Sequence, residues 1–539
     1  MFKSLHLSIS GFTKLIPLLL PVLFLVVFPG SVCADSSTKA KHSSEKGLSL
    51  IEAVRDTIQK QPDVLLQQQE VEVSKGALQI EAGEFDAALS STFNYQTSKY
   101  APTYWENKLY EIGDRTYTST AASVEVEKKT RYGISFGPSV DVNRTHGISD
   151  YMIPTSSNQA IVFFNLNVPL LKGRGEDATG AQEMAAAVEI EASQLDLEHT
   201  IALSVEQTTV AYWNYLEAQM QLKILKNMEE DSRQTLENMK QLVKGDDRPA
   251  SDLDTFEADL ADKISQRIAG EQNIFEARQD LGLAMGLAYE AIDDLPLPKD
   301  TFPDPRKNKS PLIKLGPAKL FEKARNNRAD YLSMKKREAE ARILLVAATN
   351  NLLPQLDING GIGYAGLEDG GNVDDYFKSI GNKLTGANYS AGITLTFPFG
   401  NNEAKGLHLQ QRSRLRKAVI QTGNLERKIR SDIVVAFQAI LRTSRELKET
   451  RRSVKHYRTA VSNERTKFGM GMASVLDVIN IQNFLRNTML SEVRKMNSYA
   501  AAVVDLRYQT GALITTHGDG YRVEMEQLIS PPQVGGETR

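Results

Sequence analysis

Two hydrophobic periods alternate along this chain, and their order predicts its elements. Apolar residues recur at steps of three and four over residues 49–85, 176–243 and 251–287, and again over 318–352, 403–468 and 474–513, which predicts helices there. In 176–243 the apolar stripe runs Trp213, Leu216, Met220, Ile224, Met228, Leu236, Met239 and Leu242. In 403–468 it runs Ile433, Phe437, Leu441, Ser444, Leu447, Val454, Tyr457, Val461 and Phe468. Stripes this narrow, with charged residues between, predict a coiled-coil seam rather than a broad globular face. At 1.5 Å per residue each long helix reaches roughly 100 Å. The two shorter helices of each half add up to a similar length, so stacked end to end they fit antiparallel beside the long one.

Between the helices the period drops to two. Leu89, Ser91, Phe93 and Tyr95 alternate with Ser90, Thr92 and Asn94, and Val162, Phe164, Leu166 and Val168 with Phe163, Asn165 and Asn167. Leu356, Ile358, Gly360, Ile362 and Tyr364 alternate with Gln355, Asp357 and Asn359, and Ile393, Leu395 and Phe397 with Thr394 and Thr396. Such alternation fits a transmembrane barrel strand, apolar to lipid and polar to the lumen, and equally a half-buried antiparallel sheet. Tyr95, Tyr100, Tyr104, Trp105, Tyr364 and Tyr389 suit an interfacial girdle. The first half carries an additional amphipathic hairpin, Val124 and Val126, then Ile134, Phe136, Val140 and Val142, which either joins the sheet or projects from it. The second half has a short polar loop, residues 367–386, in its place.

The halves repeat one another in order. Asp63 answers Asp330, Val168-Pro169 answers Phe397-Pro398, Ala250–Asp254 answers Ala473–Asp477, and Asp280–Gly286 answers Asp505–Gly511. A unit of more than 200 residues is too long for a solenoid repeat and reads as one duplicated module. The organisation is therefore a leader (1–34), a first helix–strand–helix repeat (35–294), a proline-rich link (295–317), a second repeat (318–513) and a tail (514–539) whose last ten residues read as disordered. Four strands, or six with the hairpin, cannot close an open-lumened barrel, which needs about eight or more. An open edge in lipid strands its backbone groups, so the strands call for several copies. Three copies supply twelve strands, or eighteen with the hairpin.

Composition places the chain outside the cytoplasm. Lys3 and Lys14, the apolar run 15–28 and Val32-Cys33-Ala34 form a signal peptide with its cleavage site, and Pro17, Pro21 and Pro29 speak against a membrane anchor. A lipid-bearing Cys33 is the rival reading of this segment. Cys33 is the only cysteine, so a cleaved chain has no thiol, which suits a periplasmic or outer-membrane protein better than a disulfide-stapled one. No later stretch reaches 18 consecutive apolar residues. A net charge of −3 with acids and bases interspersed gives no nucleic-acid footprint.

Two enzyme-like strings fail on context. Gly133–Gly137 matches a nucleophile elbow, but Ser135 falls within an alternating strand rather than on a strand-to-helix turn. Gly361–Gly366 matches a dinucleotide fingerprint, but a loop follows it where a helix must begin. Histidines are scattered singly, off metal-ligand spacing. Neither catalysis nor a cofactor or metal is expected.

The duplicated plan, Val168–Gly175 at a strand-to-helix junction, Phe397–Gly400 at its counterpart and Phe468–Asp477 at a helix-to-helix turn together resemble the TolC-like outer-membrane efflux family across the mature chain. The resemblance implies an α+β membrane protein: a homotrimer with one β-barrel in the outer membrane of a Gram-negative cell, continuous with a long α-helical coiled-coil tunnel across the periplasm. It implies a passive export duct of a tripartite efflux or type I secretion system. A periplasmic adaptor and an inner-membrane pump, ABC-type or proton-driven, would be its partners. In the family a glycine followed six residues later by an aspartate marks the periplasmic turn, and acidic side chains ring the closed aperture. Gly471 and Asp477 match that pattern, Asn480 stands in place of a second acid, and Asp254 is the internal equivalent of Asp477. The first turn departs from the pattern, with Arg248-Pro249 where the glycine would be. Gly245, Arg248, Pro249, Ser251, Gly469, Gly471 and Ser474 then form the tip turns and adaptor-docking surface, with Ser251 and Ser474 as N-caps. A bland alternative leaves Asp254 and Asp477 as dipole-complementing residues at helix starts. The rival for the whole chain is a soluble periplasmic coiled-coil scaffold.

Overall fold

A computed structural model describes residues 47–110, 115–149, 152–245, 249–306, 312–517 and 520–532. The expected leader with Cys33, the turn residue Arg248, part of the link and the last seven residues lie outside the described residues.

The first half begins with α1 (Leu50–Lys60) and α2 (Pro62–Ala82), then β1 (Ala88–Tyr100), α3 (Tyr104–Tyr110), β2 (Arg115–Lys129), β3 (Ser135–Ser149) and β4 (Met152–Pro169). The short α4 (Glu176–Thr179) leads into α5 (Ala181–Lys244), followed by α6 (Ser251–Ala284) and α7 (Tyr289–Asp293). The second half runs α8 (Leu312–Asn327), α9 (Ala329–Asn350), β5 (Gln355–Asp369), α10 (Val373–Lys378), β6 (Asn388–Thr396), α11 (Asn402–Gly469) and α12 (Val475–Gln509). The strands β7 (Thr515–His517) and β8 (Gly520–Arg522) and the helix α13 (Met525–Ile529) close the chain. Long helices of 64 and 68 residues are thus present where the periodicity put them.

The expected single helix over 49–85 is divided. Gln61 leaves the helical region at φ −65°, ψ 124°, because Pro62 follows and disfavours αR in the residue before it. Its carboxamide then accepts from the Asp63 and Val64 amides and caps α2. The link is partly helical too: α8 starts at Leu312, inside the proline-rich stretch, and bends at Gly316 (φ 65°) ahead of Pro317.

Packing follows the stacked plan. α2 and α6 both lie against α5, while α9 and α12 both lie against α11. The end of α6 abuts the α1–α2 break at Gly286, whose φ is +68° and where a Cβ would stand 2.6 Å from the Gln61 Cα. The end of α12 meets the α8–α9 break in the same way at Gly511, φ +63°, 2.8 Å from the Asn327 carbonyl carbon. Only glycine fits such a left-handed, crowded corner. α5 also packs on α9 and α12, so it is buried on more than one side: Tyr212, Tyr215, Leu222 and Leu225 join Trp213 and Leu216 in the interior. The seam read as narrow is therefore broad along α5, while Leu242, at its tip end, is exposed.

All six long strands form one antiparallel meander, β1 to β6 in sequence order. The additional hairpin joins the sheet as β2 and β3. In register, Leu89, Phe93 and Tyr95 share a face with Val126, Ala122, Val142, Ala160, Val162 and Ile362, while Ser90, Thr92, Asn94, Glu125, Asp141, Asn165 and Asn359 share the other. Among the described residues nothing covers most of the apolar face: Leu89 is 71%, Phe93 69% and Ile393 74% exposed. The segment 367–386, expected as a polar loop, instead ends β5 at Asp369 and carries α10 back onto the upper part of this face. Tyr376 is buried on Val142 and Ala160, and its hydroxyl donates to the Val142 carbonyl at 2.6 Å. Beyond residue 514 the chain stays packed, because the fully buried Arg507 donates to the carbonyls of Ala512, Ser530 and Pro531.

Candidate functional site

The far end of the helical bundle is built from two hairpins, α5–α6 and α11–α12. α11 ends at Gly469, and Gly471 takes φ +75°, so that its amide donates to Phe468 and the Met472 amide to Lys467. This closes the last carbonyls of the helix as a left-handed glycine cap does. Ser474 caps α12: its hydroxyl accepts from the Asp477 amide at 3.3 Å, and the Asp477 carboxylate accepts from the Ser474 amide and hydroxyl at 2.9 and 2.7 Å. The Ser474 hydroxyl, then its amide, hold the exposed Asp477 carboxyl below the usual range.

The other turn is different. Gly245 terminates α5 with an ordinary φ of −85°, and Ala250, not Ser251, stands at the N-cap of α6 without a side-chain cap. Ser251 is the first helical residue, one step too late to cap, because the turn tightens at Pro249, whose carbonyl accepts from the Asp252 amide. Asp254 is exposed in the first turn of α6, and Asn480 is exposed on α12.

The two hairpins are joined by an apolar and a polar layer. Leu236, Met239 and Phe256 of the first pack on Val475 and Ile479 of the second. Beyond them Lys263 of α6 lies between Asp259 at 2.8 Å and the Asn483 side-chain oxygen on α12 at 2.6 Å, and Ser232 of α5 donates to Asp259 at 2.9 Å. Lys263 and Asp259 are 5% and 8% exposed, which makes this a buried ion pair at the junction of three helices. Arg465–Asp231 at 3.3 Å and Arg486–Asp262 at 3.7 Å flank it. Sequence reading missed this layer; its one signal was a lysine four residues after an aspartate on an otherwise amphipathic helix. Exposed Met470, Met472 and Leu476 form an apolar surface at the very tip, which the reading also passed over.

At the other end each strand stands on a helix. β1 follows α2, β4 leads to α5, β5 follows α9 and β6 leads to α11. Those helices pack in the same order, α2 on α5, α5 on α9, α9 on α11. The turn of the additional hairpin rests on the helix tops: Lys129 pairs with Glu84 at 2.6 Å, Arg131 pairs with Glu183 at 2.5 Å and lies over the Phe85 ring, and the Tyr132 carbonyl accepts from the Gly175 amide. Ser135 opens β3, and Gly361 lies within β5 under the Phe163 ring, so neither enzyme-like string sits on the turn its chemistry requires.

Among the described residues the sheet has one apolar face and two free edges and stands on a long coiled-coil bundle. Residues 320–512 match the family model "Outer membrane efflux protein". No curated protein matches the chain at the level of sequence. Among solved structures it is similar to the Campylobacter jejuni CmeC outer membrane channel (15% identity, TM-score 0.61, 86% of this chain and 85% of that one). It is also similar to the outer membrane protein VceC of Vibrio cholerae (14%, 0.61, 86% and 96%) and to a membrane protein from Pseudomonas aeruginosa (14%, 0.63, 86% and 90%). The resemblance to the TolC-like outer-membrane efflux family holds, in sequence over the second half and in fold over most of the chain. The sequence likeness to that family lies in residues 320–512, and the solved structures extend the shared fold over most of the chain.

Proposed function

We propose that three copies of this chain assemble into a passive export duct of a tripartite efflux or type I secretion system. One observation carries the reading: among the described residues the sheet ends in two unpaired strands, β1 and β6, and bares its apolar face over all but the part beneath α10. In lipid every backbone group must find a partner, and joining β1 of one copy to β6 of the next satisfies both edges at once. A soluble scaffold would leave Leu89, Phe93, Tyr389 and Ile393 in water, so the exposed face disfavours that alternative. The duct does no chemistry; its energy comes from an inner-membrane pump, ABC-type or proton-driven, joined through a periplasmic adaptor.

The tip is then the gate. Three-fold symmetry would bring Asp254, Asp477 and Asn480 toward the axis, where a ring of negative charge favours cations and is loosened on opening. The exposed Met470, Met472 and Leu476, together with the turns around Gly245, Arg248, Pro249, Ser251, Gly469, Gly471 and Ser474, supply the surface for the adaptor. Opening separates the α5–α6 hairpin from α11–α12 across the Lys263 layer. Detergent extraction from outer membranes followed by planar-bilayer recording tests the duct: a trimer with discrete conductance steps is expected, and a soluble monomer without them refutes it.

A further inference from the structure

We propose that the additional hairpin makes the barrel as wide as the helical tunnel below it, so the duct has no constriction at the membrane and passes bulky hydrated solutes. The inference rests on the trimeric reading above. Six strands per protomer stand over four helices, α2, α5, α9 and α11, packed side by side. Strands about 4.8 Å apart and tilted about 40° each take about 6.3 Å of circumference, so six span about 38 Å. Four helices at about 9–10 Å spacing span about 36–40 Å, an equal arc. Four strands would span only about 25 Å at the same tilt and would force the wall to taper inward.

The hairpin also sits where this match is needed. It is inserted between β1, above α2, and β4, above α5, and its turn is fastened to both helix tops by Lys129–Glu84 and Arg131–Glu183. Three copies give eighteen strands and a backbone diameter of about 36 Å, against about 24 Å for twelve. Allowing about 5 Å of side chain on each wall leaves a bore of about 26 Å rather than about 14 Å. The face turned inward is mostly Ser, Thr, Asn, Gln and acidic residues on β1 to β3, with Tyr117 toward the upper end and Ile161 and Phe163 on β4, a lining polar enough to keep large solutes hydrated.

The test is size-graded access from outside the cell. Asn165→Cys, on the polar face of β4, is exposed to maleimide-bearing polyethylene glycols of increasing diameter in the full-length trimer. Labelling by polymers of about 20 Å is expected from the eighteen-strand bore. Labelling only below about 14 Å overturns the width while the duct stands. Absence of any trimer overturns the duct reading as well. A variant lacking residues 115–149 should lower the size limit to the smaller value, and an unchanged limit sinks the proposal. Independently of whether that variant inserts, Thr92→Cys with Ser123→Cys, register partners on β1 and β2, should form a disulfide in the intact trimer. A β1–β4 cross-link through Asn94→Cys and Gln159→Cys, which stand at one level of the sheet on the same face, instead would show the hairpin outside the wall.

Discussion

Removing the cation from the buried layer at the tip is the sharpest perturbation of the gate. In Lys263→Ala the Asp259 carboxylate keeps only the Ser232 hydroxyl, and Asn483 loses its donor on α6. Breaking a buried ion pair by deleting one partner costs about 3–5 kcal/mol, since a charge stays out of water uncompensated. At 1.4 kcal/mol per tenfold, separation of α6 from α12 becomes favoured by about two to three and a half decades. Hydrogen exchange by mass spectrometry over residues 251–265 and 475–490 should accelerate at least a hundredfold, and closed-state conductance should rise. The companion Asp259→Leu/Lys263→Met replaces the pair with apolar groups of similar reach and should recover most of the protection, because a pair removed whole is often neutral. Exchange within threefold of wild type in Lys263→Ala would refute the reasoning. Equal acceleration in single and double variants would mean that packing, not charge, held the seam.

Asp477→Ala removes a helix cap and, in the proposed trimer, an axial charge, whereas Ser474→Ala removes about 1 kcal/mol of capping alone; bilayer conductance should rise in the first and stay level in the second, and an equal response would assign the effect to fraying. Gly511→Ala should lower the thermal midpoint of the trimer, as the added Cβ stands 2.8 Å from the Asn327 carbonyl carbon at φ +63°, while Gly173→Ala, with a positive φ but no neighbour within 4 Å, should cost less. Burial, helped by the Asp505 charge, pushes the Glu206 carboxyl up to about 7. The folded chain therefore keeps a proton that the unfolded chain releases near its usual 4.5, so this contribution is full below that value and fades as pH climbs through 7. Thermal melts should show wild type weaker at pH 8 than at pH 5, and Glu206→Gln should flatten that difference.

What could be read from sequence was what local periodicity encodes. Both long helices and the strand faces follow from spacings of two, three or four residues, the Ser474 cap from a serine at a helix start, and the Gly471 turn from the family resemblance. The broad burial of α5 was illegible because it depends on α9 and α12, more than a hundred residues away. Lys263 looked like one more surface lysine until Asn483, 220 residues on, closed it in. The first turn resisted for a local reason: Ala250–Asp254 matches Ala473–Asp477 at four of five positions, but Pro249 starts the helix one residue early and takes the cap away from Ser251. α10 misled because Asp374, Asp375 and Lys378 make its segment read as solvated, although Tyr376 and the Arg144 bonds to the Gly371 and Asn372 carbonyls anchor it to the sheet.

The free margins of the meander also bear on how the molecule comes into being. A newly exported copy presents thirteen residues of β1 and nine of β6 with no partner, beside bare phenylalanine, tyrosine and isoleucine. Such a ribbon templates adhesion to any neighbour of like kind, correct or not. In the proposed trimer, newly made chains must therefore be shielded on the way to the bilayer, and insertion must be concerted with the meeting of sister chains. Overproduction that outruns this escort should yield clumps rather than a reservoir of spare subunits.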